Sequence, residues 1–295
     1  MTSLIEPDTV IDEAARINDP PAGPLRLVDP TRAGRGIRRR HRRVPRSVQR
    51  LVGPLLIIVA WQLASTFGIF SPDTIPSPGS VLAAARELIA DGKLQENLVV
   101  SLGRVVKGLA LGVSAGTVLA VLAGLSRIGE NVIDTNMEVV RAIPAFALVP
   151  ILIVWLGIGE EPKVVLIAVT VTVAIYINTY AGIRNVDAGL VEAARTFGVR
   201  NWELVRRVVL PGALPGFLVG LRLALTGAWL ALIFAESVNA PSGLGRMMSD
   251  ARDRFQLDVI FVLIGVYATL GLCSHALVRF LEARLLTWRR TYDGG

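Results

Sequence analysis

Six long apolar stretches, separated by polar connectors, leave this chain few ways to fold. They lie at about 51–71, 97–124, 133–156, 164–183, 211–238 and 258–280, and each is about long enough to cross a bilayer core as a helix. With no water to bond its backbone there, each stretch must satisfy its own peptide groups. Composition agrees, since 52% of the 295 residues are hydrophobic and no large soluble domain needs that many. The reading is an all-α membrane protein with six transmembrane helices, located in the cell membrane.

The net charge of +7 could suggest nucleic acid. The arginines cluster beside the apolar stretches instead, as orientation signals do, and no basic patch is interleaved with aromatic residues. Nucleic acid is therefore not an expected partner. A single cysteine, Cys273, excludes an internal disulfide, and with two His residues no metal cluster can be read. Cys273 sits in an apolar run, where buried filler is its expected role.

Residues 1–50 read as a disordered cytoplasmic tail: acidic at first, then rich in Pro and Gly, then basic from Arg38 to Arg50. No apolar run follows Met1, so the start is not a signal peptide. The basic run abuts the first span, where it can anchor to anionic lipid heads. The first span carries no charge from Leu51 to Pro72, and the prolines up to Pro78 cannot continue it. Val81 to Ala90 predicts a short amphipathic helix along the outer surface.

Two spans carry small residues four apart: Gly108, Gly112, Gly116, Ala120 and Gly124 in the second, and Gly212, Gly216, Gly220, Ala224 and Ala228 in the fifth. Each stripe marks a face where another backbone can come close, and the two are candidates for each other. Arg104 and Lys107 are expected to face the outer end of the second span or to snorkel there. The third span starts with Asp134, Glu138 and Arg141, and Pro144 and Pro150 should loosen its hydrogen-bond ladder. Tyr176, Asn178 and Tyr180 lie near the inner end of the fourth. Residues 239–257 are the longest outer connection between core spans, with Pro241-Ser242-Gly243-Leu244-Gly245 and five charges.

Between the fourth and fifth spans, residues 184–210 are polar and carry both charge signs. Val191, Ala194, Leu204, Val205 and Val208 recur at helical intervals, so an amphipathic helix is expected at the water interface, jointed at Gly198. Pro211 can open the next helix. Lys and Arg are richer in the tail, at Arg127, in this segment and after the last span than in the other connectors. That asymmetry puts the segment and both termini in the cytoplasm.

Two charges lie inside spans. Arg222 falls roughly 16 Å along the fifth helix, near the midplane, where a lone charge is costly. It is either a contact or gate for an anionic substrate, or a structural pair with carbonyls or a carboxylate of a neighbouring helix. Glu236, near the outer end of the same helix, is either a gate or docking-rim residue or a solvated helix end. No phosphate-binding G-x-x-x-x-G-K-[ST], H-E-x-x-H or G-x-S-x-G motif occurs, so the chain is not expected to be an enzyme and any ATP must be bound by a partner.

Glu192-Ala193-Ala194, Gly198 and Val208-x-Leu210-Pro211 resemble the coupling loop of ATP-binding-cassette importer permeases, with Val208 where Ile is usual. Arg141-Ala142-Ile143-Pro144, Trp155-Leu156-Gly157-x-Gly159-Glu160, Gly220-Leu221-Arg222, Ala235-Glu236 and Ser242-Gly243-Leu244-Gly245 are similar to the aliphatic sulfonate, taurine and nitrate branch. The resemblance implies two permease chains, expected as a homodimer, with two cytoplasmic ATPase subunits and one extracytoplasmic solute-binding protein. It implies import of a small anion by alternating access, with no cofactor in this chain. It also implies that Glu192, Ala193, Ala194, Gly198, Leu210 and Pro211 couple to the ATPase, and leaves Arg141, Arg222 and Glu236 as pathway or gate candidates. A secondary transporter would need inverted repeats with paired broken helices, and no convincing repeat is present.

Overall fold

The computed structural model describes residues 46–69, 71 and 74–288. The expected tail lies outside the described residues up to position 45. All regular elements among the described residues are helices: α1 (Arg46–Thr66), α2 (Pro78–Ala90), α3 (Lys93–Leu125), α4 (Arg127–Ala142), α5 (Ala145–Leu156), α6 (Glu161–Arg184), α7 (Ala188–Thr196), α8 (Leu210–Asn239), α9 (Leu244–Asp253) and α10 (Leu257–Leu285).

Among the described residues, four stretches are long and apolar enough to cross a membrane: α3, α6, α10, and the 37 residues Trp202–Val238 that contain most of α8. The bent pair α4 and α5 makes a fifth if counted as one span, and the apolar part of α1, Leu55–Thr66, is shorter. The expected first and third spans therefore differ from simple rods. The first stops at Thr66 because Gly68, at φ +67°, turns the chain, its N–H bonding Ser65 O and that of Ile69 bonding Ala64 O. In the third, Pro144 does more than loosen the ladder. The residue before a proline is pushed out of helical geometry, and Ile143 sits at φ −84°, ψ 120°. The two pieces meet at 91°.

Helix α6 lies between α3 and α8 and forms the centre of the bundle. Its Ile167, Val171 and Ile175 are fully buried, packed with Ala224, Ala228 and Leu232 of α8. The small stripes of α3 and α8 do not face each other, as the sequence suggested; both close on α6. A Cβ at Gly112 would sit 2.6 Å from the Ala168 carbonyl oxygen, and one at Gly216 would sit 2.6 Å from that of Asn178. Removing side chains from both neighbours lets α6, rich in branched residues, seat its β-carbons against two backbones at once.

The start of α8 also differs from expectation. Pro211 lies in the first turn of α8, as expected, but the rod runs further back through a π turn, Val205–Val209, to a turn at Asn201–Leu204. Proline lacks an N–H and its ring clashes with the carbonyl one turn back. The wider π turn just before Pro211 relieves that clash and keeps the rod continuous. Helix α10 buries only Val262, Leu263 and Val278, and Cys273 on it is exposed rather than buried. A helix facing lipid presents apolar residues outward, so an apolar neighbourhood does not imply a core position.

Candidate functional site

The antiparallel pair α6 and α8 defines two ends of the bundle. At the end where α6 finishes and α8 begins lies α7. Asp187 caps it, its side chain accepting from the Gly189 N–H at 2.7 Å. Gly198, at φ +82°, closes it: the Gly198 N–H bonds Arg195 O at 2.9 Å and the Val199 N–H bonds Ala194 O at 3.0 Å. The helix is thus sealed at both ends by its own residues. No residue of α7 is buried, and Glu192 and Ala193 are exposed. Phe197 and Trp202 beside it are also exposed, at 87% and 64%. A stiff short rod flanked by aromatic rings and arginines is a surface a soluble partner can grip. Below it, Val209 and Ala213 pack on Ile183 and Val186, joining the base of α8 to the end of α6.

Nearby, the π turn Glu130–Asp134 ties α4 to α6. Tyr180 donates to Glu130 and Tyr176 to Asp134, both at 2.9 Å, and Arg184 lies 3.3 Å from Glu130. Arg141 is exposed and pairs with Glu138 on its own helix at 3.1 Å. Arg222 pairs with Glu282 of α10, while its Nε is buried without a partner.

The opposite end holds a buried ion network. Arg104 is 3% exposed. Its Nε and Nη2 form a fork on Glu160, at 2.6 and 2.7 Å. Its Nη1 donates to Glu236 at 2.6 Å and to the Ser242 carbonyl at 2.7 Å. Glu236 is fully buried and also accepts from Ser101 Oγ at 2.8 Å and the Gly245 N–H at 2.7 Å. Three successive backbone donors wrap this centre: Gly243 on Asn97, Leu244 on Ser101 and Gly245 on Glu236. The turn must come this close to bond the carboxylate. A Cβ on Gly243, at φ +127°, would fall 2.5 Å from the Glu236 carboxyl carbon. Buried Lys163 donates to the Gly159 carbonyl at 2.6 Å. The Arg104 guanidinium holds the Glu160 carboxyl below its ordinary range, against the opposing effect of partial burial.

Residues 112–287 match the family described as binding-protein-dependent transport system inner membrane component. The chain belongs to this family. It is a permease subunit of an ATP-binding-cassette importer, a multi-pass membrane protein and not an enzyme. Among similar proteins, one from Escherichia coli assigned to aliphatic sulfonates transport as the permease SsuC is 43% identical over 81% of this chain and 91% of its own length. One of the same name from Bacillus subtilis is 38% identical over 83% of this chain and 88% of its own. The fold is that of a solved amino acid ABC transporter structure, at TM-score 0.56 and 19% identity, covering 68% of this chain and 97% of that one.

In this permease the residues singled out by sequence fall into separate groups. Glu192, Ala193 and Gly198 are exposed in one motif with half-buried Ala194, while Leu210 and Pro211 lie half-buried at the base of α8. Arg141, Arg222 and Glu236 do not converge on one site, and each has its own partner. The solvated-end reading of Glu236 and the snorkelling of Arg104 are both overturned. Partners from α3, α8 and two turns replace the water each charge would otherwise need. Asn97, Ser101 and Glu160 were missed as members of this network. Glu236, Gly159-Glu160 and Ser242 to Gly245 stood out in the sequence separately, but nothing there joins them to Arg104.

Proposed function

We propose that this permease imports a small aliphatic sulfonate handed over by an extracytoplasmic solute-binding protein. The observation that carries the substrate class is 43% identity, across most of both chains, to a permease assigned to aliphatic sulfonates. Two copies form the pathway, each with six spans, and the tail, both termini and α7 lie in the cytoplasm. Two ATPase subunits bind the ATP, and this chain holds no cofactor.

The ATPase cleft takes Glu192 and the small face at Ala193 and Ala194, and the Gly198 closure fixes the angle of the rod. When ATP closes the ATPase pair, the two α7 rods approach each other. Motion passes through Leu210 and Pro211 into the continuous base of α8, and the packed α3, α6 and α8 swing together. Arg222 is held by Glu282 and shapes the wall, Glu236 fixes the outer end, and exposed Arg141 at the α4–α5 bend is the anion contact. The geometry of the separate ion pairs supports this division.

The test is growth of a deletion strain with ethanesulfonate as sole sulfur source, rescued by the wild-type gene. Rescue on ethanesulfonate but not taurine supports the assignment. Rescue on taurine alone moves the substrate to the amino-sulfonates, and no rescue on either rejects the sulfonate class.

A further inference from the structure

Four helices close on a residue in the left-handed region, two positions past their last helical residue. In α1, α2 and α7 that residue is glycine: Gly68 (φ +67°), Gly92 (φ +74°) and Gly198 (φ +82°). In α9 it is Phe255, at φ +57°, the one non-glycine residue with positive φ among the described residues. The hydrogen bonds match those of α7: the Phe255 N–H bonds Arg252 O at 3.1 Å and the Gln256 N–H bonds Ala251 O at 2.8 Å. The turn itself therefore calls for glycine, and a β-carbon there is strained.

The ring gains nothing from the fold in return, because Phe255 is 87% exposed. Its neighbours in the chain are charged: exposed Arg252, Asp253 and Arg254 precede it. A cavity of about 510 Å³ opens beside it, lined by Lys93, Arg246, Asp250, Arg254, Gln256 and Asp258 among others. A strained backbone carrying a water-exposed aromatic, rimmed by charges of both signs, has the make-up of a binding hot spot before its partner arrives. Helix α9 is also wired to the buried network through the Leu244 and Gly245 N–H groups.

We infer that Phe255 is the aromatic anchor on which the solute-binding protein docks, with the charged cavity beside it as the rim of that interface. The inference rests on the importer reading and on α9 facing outward. On the proposed orientation the end opposite α7 faces outward, the matching family is described as binding-protein-dependent, and the mixed charges suit a protein surface rather than lipid tails.

The experiment uses the complete complex in nanodiscs, with its own ATPase and its own solute-binding protein titrated in. Phe255→Gly should raise the half-saturating concentration of binding protein about tenfold, while its melting temperature stays equal or rises as strain is relieved. Phe255→Trp should stay within about twofold of wild type. An unchanged half-saturating concentration in Phe255→Gly overturns the inference and leaves Phe255 a strained cap. A fall in melting temperature overturns it too, since the ring would then be holding the fold. Failure of the binding protein to stimulate even the wild-type complex overturns the importer orientation along with the inference, which separates the two failures.

Discussion

The two ends of the α6–α8 pair are built on opposite principles. In the α7 segment the charged residues are exposed, and the rod is sealed by its own cap and closure rather than by tertiary contacts. At the other end, five charged or polar side chains (Asn97, Ser101, Arg104, Glu160, Glu236) and a glycine turn bind one another, with Ser101, Arg104 and Glu236 buried. A short self-contained rod can be displaced as a unit by an outside protein. A buried ion network resists displacement, because each charge loses its compensation when a partner moves. On the proposed coupling, one end receives force and the other holds geometry.

Breaking the network should give the largest effect on stability. Arg104→Met leaves the Glu236 carboxylate buried without its cation, and should destabilise the folded permease by about 3–5 kcal/mol. Fluorescence-detected size exclusion after heating measures this. Glu192→Gln at the other end should shift the same curve little, within about 0.5 kcal/mol, while ATP-driven uptake falls. Equal shifts would erase the contrast. Next in size is the packing that joins the ends. Gly112→Val drives a side chain against the Ala168 carbonyl and Val171, and should cost about 1–3 kcal/mol of melting stability. Gly198→Ala meets open space but a left-handed backbone, so about 1 kcal/mol of local strain should appear as lost ATPase coupling, with the bundle intact.

The smallest effect is in pH. The folded carboxyl of Glu160 titrates below its unfolded counterpart, so its contribution is present above the ordinary carboxylate range and is lost as pH falls through the depressed value. Glu160→Gln should flatten that part of the acid limb of the melting-temperature profile. Its side chain is 52% exposed and solvent screens it, so the change is modest.

The same contrast explains what could be read in advance. The α7 segment was legible because its pattern is local: charges between apolar stretches, a glycine at the joint, and every capping bond within a few residues. The network was not, because Arg104 and Glu236 are 132 residues apart, and a charge near a helix end looks solvated until its partners are known. The small stripes announced close approach without naming the neighbour, so α6 as the shared partner came only from the structure. Pro144 announced a weakened ladder, but a 91° bend depends on what the freed segment packs against. Cys273 misled for a chemical reason: lipid and protein core select the same side chains.

On the proposed function, ATP moves the α7 rods while the network end keeps its internal geometry. Cys273 is the only cysteine, so Cys273→Ser gives a clean background for spin labels. Pulsed electron-spin distances would be taken in the complete complex, between two copies labelled at Leu190→Cys, exposed at 61%, and within one copy at Val99→Cys and Arg254→Cys. On ATP binding the Leu190 distance should shorten by several ångströms and the Val99–Arg254 distance should hold. A fixed Leu190 distance, or a shift confined to the network end, would contradict the account.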